Sequence, residues 1–384
     1  MTSDLTGAGR LRSPCPSFCP GCHHRELSPE ERLAEKQIFV NRILSPWRDQ
    51  LAPVREVAPD KRRGYREKVC LAAEWTAAGW GFGLRRRRAL IPIHHCSLHS
   101  PRVNAIVGLM AGVLPPAGSF PLAYFLQSGG QVTLVVKCRD LTDIAWLNAD
   151  ATGAFARAGG QGLWLHLHPA AGRRVTAKTT WHLVWGEPRS MDPTGLVYGP
   201  TAFQQLIPDL SRAALDAAES FLAPGVNDDV LDLYCGIGNS LRRWTGRAAR
   251  TTGVEISAES VECAQINAPE AKVLRGPARQ RLPQLTELID SDRRRLLYVN
   301  PPRAGIEPEV LDWIVNIFRP ERIACLSCNA VSLRRDLSRL TAAGYAVNQI
   351  MLFDFFPETR YLEMMAMLTR RATPQVRPLG RRPR

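Results

Sequence analysis

Cys328 closes the run Ile323-Ala-Cys-Leu-Ser-Cys-Asn329, which reads as a strand ending in Ser-Cys-Asn before a helical stretch that begins near Val331. A thiol at a sheet rim beside a helix N-terminus has a lowered pKa and reacts as the thiolate, so nucleophilic addition is the chemistry expected there. Cys325, three residues earlier, falls within the strand and is expected in the core. A second such stretch is Val230-Leu-Asp-Leu-Tyr-Cys-Gly-Ile-Gly-Asn239, a buried strand running into a glycine turn and then a helix. Gly236 and Gly238 allow backbone to approach a ligand closely. Glu255, at the end of the next strand, stands where nucleotide-binding α/β folds hold a ribose diol. Leu241 replaces the third glycine of the dinucleotide fingerprint, and no Lys or Thr of a phosphate loop follows. A nucleoside cofactor without a pyrophosphate fits these residues, and S-adenosylmethionine is such a molecule. Finally, Cys15-Pro-Ser-Phe-Cys19-Pro-Gly-Cys22 has the spacing of metal ligands, for zinc or an iron–sulfur cluster, with His23 and His24 able to replace a sulfur in a zinc site.

These residues need a scaffold, and the chain spells one out. From about Leu210 onward short apolar runs alternate with helical periods, the pattern of a parallel sheet flanked by helices. The expected strands are Val230 to Leu233, Thr252 to Ile256, Lys272 to Leu274, Leu296 to Val299, Ile323 to Leu326, Val347 to Phe353 and Leu362 to Leu368. Asn300-Pro-Pro-Arg303 ends the fourth of them in a turn stiffened by two prolines. Before this domain, Tyr65 to about Pro188 is rich in Gly, Trp, Val and Thr, and alternating segments such as Val132 to Lys137, Leu163 to His168 and Trp181 to Trp185 read as strands of a β-rich middle domain. Ser28 caps an expected helix that reaches about Ile43, with proline at its first position. The resulting division is 1–27 a cysteine segment, 28–56 a helix and linker packing on the catalytic domain, 57–198 the β-rich domain, 199–371 the α/β domain, and 372–384 a basic disordered tail.

Composition narrows the partners. The 384 residues carry 50 Lys and Arg against 36 Asp and Glu, a formal net charge of +14 that suits a polyanion, with nucleic acid the leading candidate. No apolar run approaches the roughly 20 residues of a membrane helix, and the N-terminus lacks the apolar core of a signal peptide, so a soluble, cytoplasmic, monomeric protein is expected. Ten cysteines are not spaced as a disulfide framework, which points to a reduced compartment and to metal or nucleophilic roles. Lys61-Arg-Arg-Gly-Tyr-Arg66 and Arg85-Arg-Arg-Arg88, with Tyr65, Trp75, Trp80 and Phe82 nearby, are expected to hold single-stranded RNA by stacking and phosphate neutralisation.

The motifs Asp232-Leu-Tyr-Cys-Gly-Ile-Gly-Asn, Gly253-Val-Glu-Ile, Asn300-Pro-Pro-Arg-Ala-Gly305, Ser327-Cys-Asn and Phe353-Asp-Phe-Phe-Pro-Glu-Thr-Arg-Tyr-Leu-Glu363 resemble, in order, those of the RNA (uracil-5-)-methyltransferases. The resemblance runs from Cys15 to about Leu368 and is closest to the branch that methylates a hairpin uridine of 23S ribosomal RNA and lacks an N-terminal RNA-binding barrel. It implies a Rossmann-like class I methyltransferase domain with a seven-stranded sheet, using S-adenosylmethionine and an unstacked or loop uridine of ribosomal RNA. It implies that Cys328 adds to uracil C6 and that Glu363 removes the C5 proton. It places Gln205, Tyr234, Glu255 and Asn300 on the cofactor beside Gly236 and Gly238. It also makes Cys96 the fourth ligand, with Cys15, Cys19 and Cys22, of a [4Fe-4S] cluster, zinc being the alternative; Cys70 is the competing ligand but lies in an apolar run that reads as core. A tRNA methyltransferase is the alternative within the family. Outside it stand a non-catalytic RNA-binding protein, which would not need both Cys328 and Glu363, and a radical S-adenosylmethionine enzyme, whose three-cysteine motif precedes a β/α barrel that this chain does not spell out.

Overall fold

The computed structural model describes residues 19–371 apart from Arg88, Arg173, Lys178 and Thr179; Cys15 and the basic tail 372–384 therefore lie outside the described residues. The described chain divides into two units. One comprises 19–32, 56–211 and 355–360, the other 33–55, 212–354 and 361–371.

The second unit is built on strands β1 (Leu51–Arg55), β2 (Asp228–Leu233), β3 (Arg250–Glu255), β4 (Lys272–Arg275), β5 (Arg294–Val299), β6 (Arg322–Ser327), β7 (Tyr345–Phe353) and β8 (Glu363–Arg370). They lie in the order β1-β7-β8-β6-β5-β2-β3-β4. All neighbours are parallel except that β8 runs antiparallel to both β6 and β7. The seven expected strands are present and the sheet holds one more, β1. Pro53 masks it in the sequence, because proline lacks the donor that an interior strand needs; β1 sits on the sheet edge, where that donor is dispensable. The central strands read as unbroken apolar runs because helices cover both faces. Leu231, Leu233, Leu297, Val299, Ile323 and Ala366 are all buried in one core with Val310, Leu333 and Leu337 from the helices.

Helix α1 (Pro29–Ile43) begins with the expected Ser28 cap. The Ser28 hydroxyl accepts the Glu31 N–H at 3.2 Å, and the Glu31 carboxylate accepts the Ser28 N–H at 2.7 Å, a reciprocal box that satisfies two otherwise orphaned donors. Further along α1, Lys36 is fully buried and its ammonium lies 2.5 Å from the carboxylate of Asp354, the residue after β7.

The other unit carries a seven-stranded sheet, ordered Ala89–Pro92, Gly79–Arg86, Lys68–Thr76, Leu122–Ser128, Gln131–Val136, Gly162–Leu167 and Trp181–Gly186. Only Gln131–Val136 and Gly162–Leu167 pair in parallel, and the helix Ala149–Arg157 supplies the crossover that such a pair requires. A second helix, Pro101–Val113, packs Val103, Ile106, Val107 and Met110 into this unit's core. Neither helix was legible beneath the β-rich composition. The expected boundary at 199 also moves, since 199–211 and the loop 355–360 group with this unit.

Candidate active site

The sheet order decides where chemistry can happen. Strands β3 and β4 extend to one side of β2, while β5 lies on its other side, so the winding reverses between β2 and β5. Ligands of open α/β sheets bind outside the carboxyl ends of the strands at such a reversal. Because β8 is antiparallel to β6, its first residue lies at the carboxyl end of β6. The last paired residues are Ser327 and Met364, so Cys328 and Glu363 are one step further along the same register. The edge thus reads, strand by strand, Glu363, Cys328, Asn300, the turn 234–238 and Glu255.

The turn after β2 is shaped for close approach. Gly236 and Gly238 have φ of 56° and 84°, and a Cβ on Gly238 would stand 3.0 Å from the Cα of Ala264 on α2 (Ala258–Asn267), so only glycine lets the turn rest on that helix. Tyr234 takes the same left-handed region, φ 62°, without glycine's freedom, a strain of the kind found at ligand sites. Its hydroxyl hydrogen-bonds the Glu307 carboxylate, and burial together with that carboxylate pushes the phenol up, keeping it a neutral donor. The Glu255 carboxylate accepts the N–H of Gly236 at 3.1 Å and of Ser257 at 2.8 Å. Two backbone bonds leave lone pairs for two hydroxyls, so Glu255 fits a ribose diol. Asn300 is half-buried beside this turn, its N–H donating to the Leu233 carbonyl at 3.3 Å. Gln205 belongs to the other unit, where its Oε1 is buried without a hydrogen-bond partner among the described residues.

At the other end of the edge, Asn329 caps α4 (Ala330–Ala342) by accepting the Val331 N–H at 3.0 Å, which fixes the Ser-Cys-Asn turn. Its Nδ2 donates to the Arg303 carbonyl at 3.0 Å, tying that turn to the proline-stiffened loop after β5. The loop is further locked at Gly305 (φ 83°), where a Cβ would lie 2.5 Å from the Arg335 guanidinium and 2.6 Å from the Asp336 carboxylate. The Arg303 guanidinium stacks over the Tyr361 ring at 4.9 Å and acts on the Cys328 thiol, favouring its anion. Glu363 is buried, Oε2 finds no hydrogen-bond partner among the described residues, and burial pushes its carboxyl up to about 8. An orphaned carboxyl oxygen inside a protein is costly and marks a site that awaits a partner.

The family model described as tRNA (Uracil-5-)-methyltransferase matches residues 279–371, the stretch that carries Asn300, Cys328 and Glu363. An uncharacterized RNA methyltransferase of Thermosynechococcus vestitus is 26% identical over 91% of this chain and 82% of its own. The 23S rRNA (uracil(1939)-C(5))-methyltransferase RlmD of Shewanella frigidimarina is 26% identical over 96% of this chain and 84% of its own. The chain is thus similar to RNA (uracil-5-)-methyltransferases over nearly its whole length. Among solved structures, the Pyrococcus abyssi tRNA (uracil-54, C5)-methyltransferase in complex with S-adenosyl-L-homocysteine shares the fold, with a TM-score of 0.68 at 21% identity over 93% of this chain and 86% of that one.

Several expectations need correction. The Cys328 thiol is raised, not lowered: burial acts first and the Glu363 carboxylate adds to it, while Arg303 pulls the other way. A helix N-terminus is worth about 0.3–1 kcal/mol, less than one pH unit, so desolvation overrides it. Of the expected stacking residues, Trp80 and Phe82 are core, Tyr65 is half-buried and Trp75 is 43% exposed. Lys61 pairs with Asp209, Arg62 with Glu56 at 2.6 Å and Arg85 with Glu74 at 3.3 Å, so part of both basic clusters is neutralised internally. Cys70 is exposed, because strand alternation turns Val69 and Leu71 inward instead. Cys325 is buried, as expected.

Among the expected ligands, Cys19 and Cys96 both act electrostatically on Cys22, whose thiol burial pushes up to about 12. Yet among the described residues no group of three or more His, Cys, Asp or Glu is arranged to hold a metal ion, and Cys15 is not among those residues. No helix among them is long and apolar enough to cross a membrane.

Two residues at the site escaped the sequence reading. Ile256, 65% exposed, places an apolar side chain beside Glu255 at the tip of β3. Arg303 was read only as part of a stiff turn; a guanidinium carried by two prolines next to a thiol was the signal.

Proposed function

We propose that this chain methylates C5 of a uridine in RNA, with ribosomal RNA as the substrate, through a covalent bond between Cys328 and uracil C6. The reading is carried by the antiparallel register that sets Cys328 against Glu363 on the same sheet edge as the glycine turn and Glu255. Glu255 holds the ribose hydroxyls of S-adenosylmethionine, Gly236 and Gly238 admit its backbone-facing side, Ile256 lies against the base, and Tyr234 and Asn300 complete the contacts. When bound, that cofactor supplies an electrophilic methyl group.

Uracil C5 is too weak a nucleophile to take the methyl unaided. The Cys328 thiol first loses its proton to solvent; its sulfur lone pair forms the S–C6 bond while the C5–C6 π pair moves onto C5 and O4. C5 then takes the methyl group and becomes tetrahedral. Glu363, as the carboxylate, removes the C5 proton, the C5–C6 double bond returns, and the S–C6 bond breaks to release Cys328. A carboxyl near 8 is ionised in a minority of molecules at neutral pH, yet it is a strong base when ionised, which suits proton abstraction from carbon.

The assignment to ribosomal rather than transfer RNA rests on the named relatives and on the sulfur ligands. Cys15, Cys19, Cys22 and Cys96 hold a structural [4Fe-4S] or zinc centre in this reading, supported by the influence of Cys19 and Cys96 on the Cys22 thiol; no step of the reaction runs through it. Iron and zinc analysis of anaerobically purified protein tests it, and the absence of both metals would remove the ligand set. For the activity, tritiated methyl donor is offered with 23S rRNA fragments and, separately, with tRNA transcripts. Labelled 5-methyluridine in the rRNA digest is expected, label confined to tRNA would move the substrate, and label in neither would overturn the reading.

A further inference from the structure

We propose that Arg303 is a catalytic residue of this site, the cation that holds the Cys328 sulfur as thiolate for attack, its guanidinium oriented by stacking on Tyr361. The proposal rests on the function proposed above. Its geometry comes from three separate elements that meet at one side chain. The loop after β5 delivers Arg303, and its backbone is tied to the turn bearing Cys328 by the 3.0 Å bond from Asn329 Nδ2 to the Arg303 carbonyl. The guanidinium acts on the Cys328 thiol and lies 4.9 Å from the centre of the Tyr361 ring, two residues before Glu363. Tyr361 thus serves as a platform that fixes the direction of the charge; a face-on guanidinium keeps its edge donors free for a sulfur anion and a carboxylate.

The charged and titratable groups around the sulfur are few. Glu363 faces it from β8 and Arg303 from the loop after β5. Behind Glu363 lie Tyr298 of β5 and Cys325 of β6, both held neutral by full burial; Asp336 of α4 acts on Cys325. Burial and Glu363 both oppose a negative sulfur, so without a cation the thiolate would be scarce. The proton leaves the sulfur for solvent, and the pair of electrons left behind forms the S–C6 bond.

The test reads the sulfur directly, without RNA or methyl donor. Wild type and Arg303→Gln are alkylated with iodoacetamide across a pH series, and carbamidomethylation of the Cys328 peptide is followed by mass spectrometry. Arg303→Gln is expected to raise the pH of half-maximal rate by about one unit, so alkylation on the acid side slows about tenfold; Arg303→Lys, which keeps the charge, is expected to recover most of the rate. Coincident profiles for Arg303→Gln and wild type would overturn the proposal, even if methylation were lost. Should Arg303→Gln lack a cooperative melt, Tyr361→Leu removes the platform instead, with about threefold slower alkylation expected and an unchanged profile again overturning it. Failure of the methylation reading shows separately, as wild-type protein that makes no 5-methyluridine.

Discussion

Replacing Glu363 by glutamine should change how stability depends on pH, by an amount the structure sets. In the unfolded chain this carboxyl ionises near its ordinary 4.5, and in the folded protein burial raises it to about 8. The folded state therefore holds a proton that the unfolded state has released. The favourable contribution is fully present below the unfolded value, is lost as pH rises through the folded value, and is constant above it. At about 1.4 kcal/mol per pH unit the whole interval amounts to on the order of 5 kcal/mol. Only the portion above about pH 6 falls in a convenient range, which leaves roughly 3 kcal/mol lost between about pH 6 and pH 9. The substituted glutamine cannot ionise, is nearly the same size, and should not show that loss. The assay is urea unfolding followed by fluorescence of the buried Trp244 and Trp313, at stepped pH, for both proteins. The expected result is a variant that gains steadily on wild type as pH rises and exceeds it by a few kcal/mol at the alkaline end. Parallel curves would mean that Glu363 is hydrated and ionised in the folded protein, and the argument for a buried, high-affinity base would fail.

Glu363→Gln should also separate the chemical steps: single-turnover reactions with RNA should still form the covalent adduct and transfer the methyl group, while free 5-methyluridine product appears at least about a hundredfold more slowly, the usual value of a positioned base. Normal turnover would remove its role. Gly305→Ala should destabilise the protein by about 2–4 kcal/mol, because it forces a left-handed backbone and a clash with Arg335 and Asp336; an unchanged melting temperature would contradict the packing of that loop. Lys36→Met leaves Asp354 buried without its 2.5 Å partner and should cost about 3–5 kcal/mol, much of it recovered in the double variant with Asp354→Leu. Equal effects that simply add in the double variant would show the pair uncoupled.

The α/β sheet was legible because its strands are buried on both faces and so appear as unbroken apolar runs set off by glycine and proline turns. Strand β1 was not, since its only pairing is to Tyr345–Phe353 across most of the chain and its own composition looks like linker. The helix Pro101–Val113 was hidden for the opposite reason: apolar residues surround much of its circumference, so no helical period stands out from a strand-rich background. At the site, strand ends visible in sequence placed Cys328 and Glu255 at the sheet edge where the structure has them, whereas the position of Glu363 came from the family resemblance. The sign of the thiol's shift was not visible. It depends on how deeply Cys328 is covered and on a carboxylate that strand pairing alone brings near, and neither is a local property. The partial pairing of the basic clusters was hidden similarly, since the acidic partners Glu56, Glu74 and Asp209 lie 6, 11 and 148 residues away.

The account depends most on a bond between one sulfur and one carbon. RNA bearing 5-fluorouridine at the target should accept the thiolate and the methyl group but cannot lose fluorine as a proton, so the adduct should persist. Peptide mapping of the trapped complex is predicted to find the nucleotide, with its added methyl, on the peptide containing Cys328, and Cys328→Ala should trap nothing. A complex attached to any other cysteine, or undiminished trapping by Cys328→Ala, would contradict the mechanism.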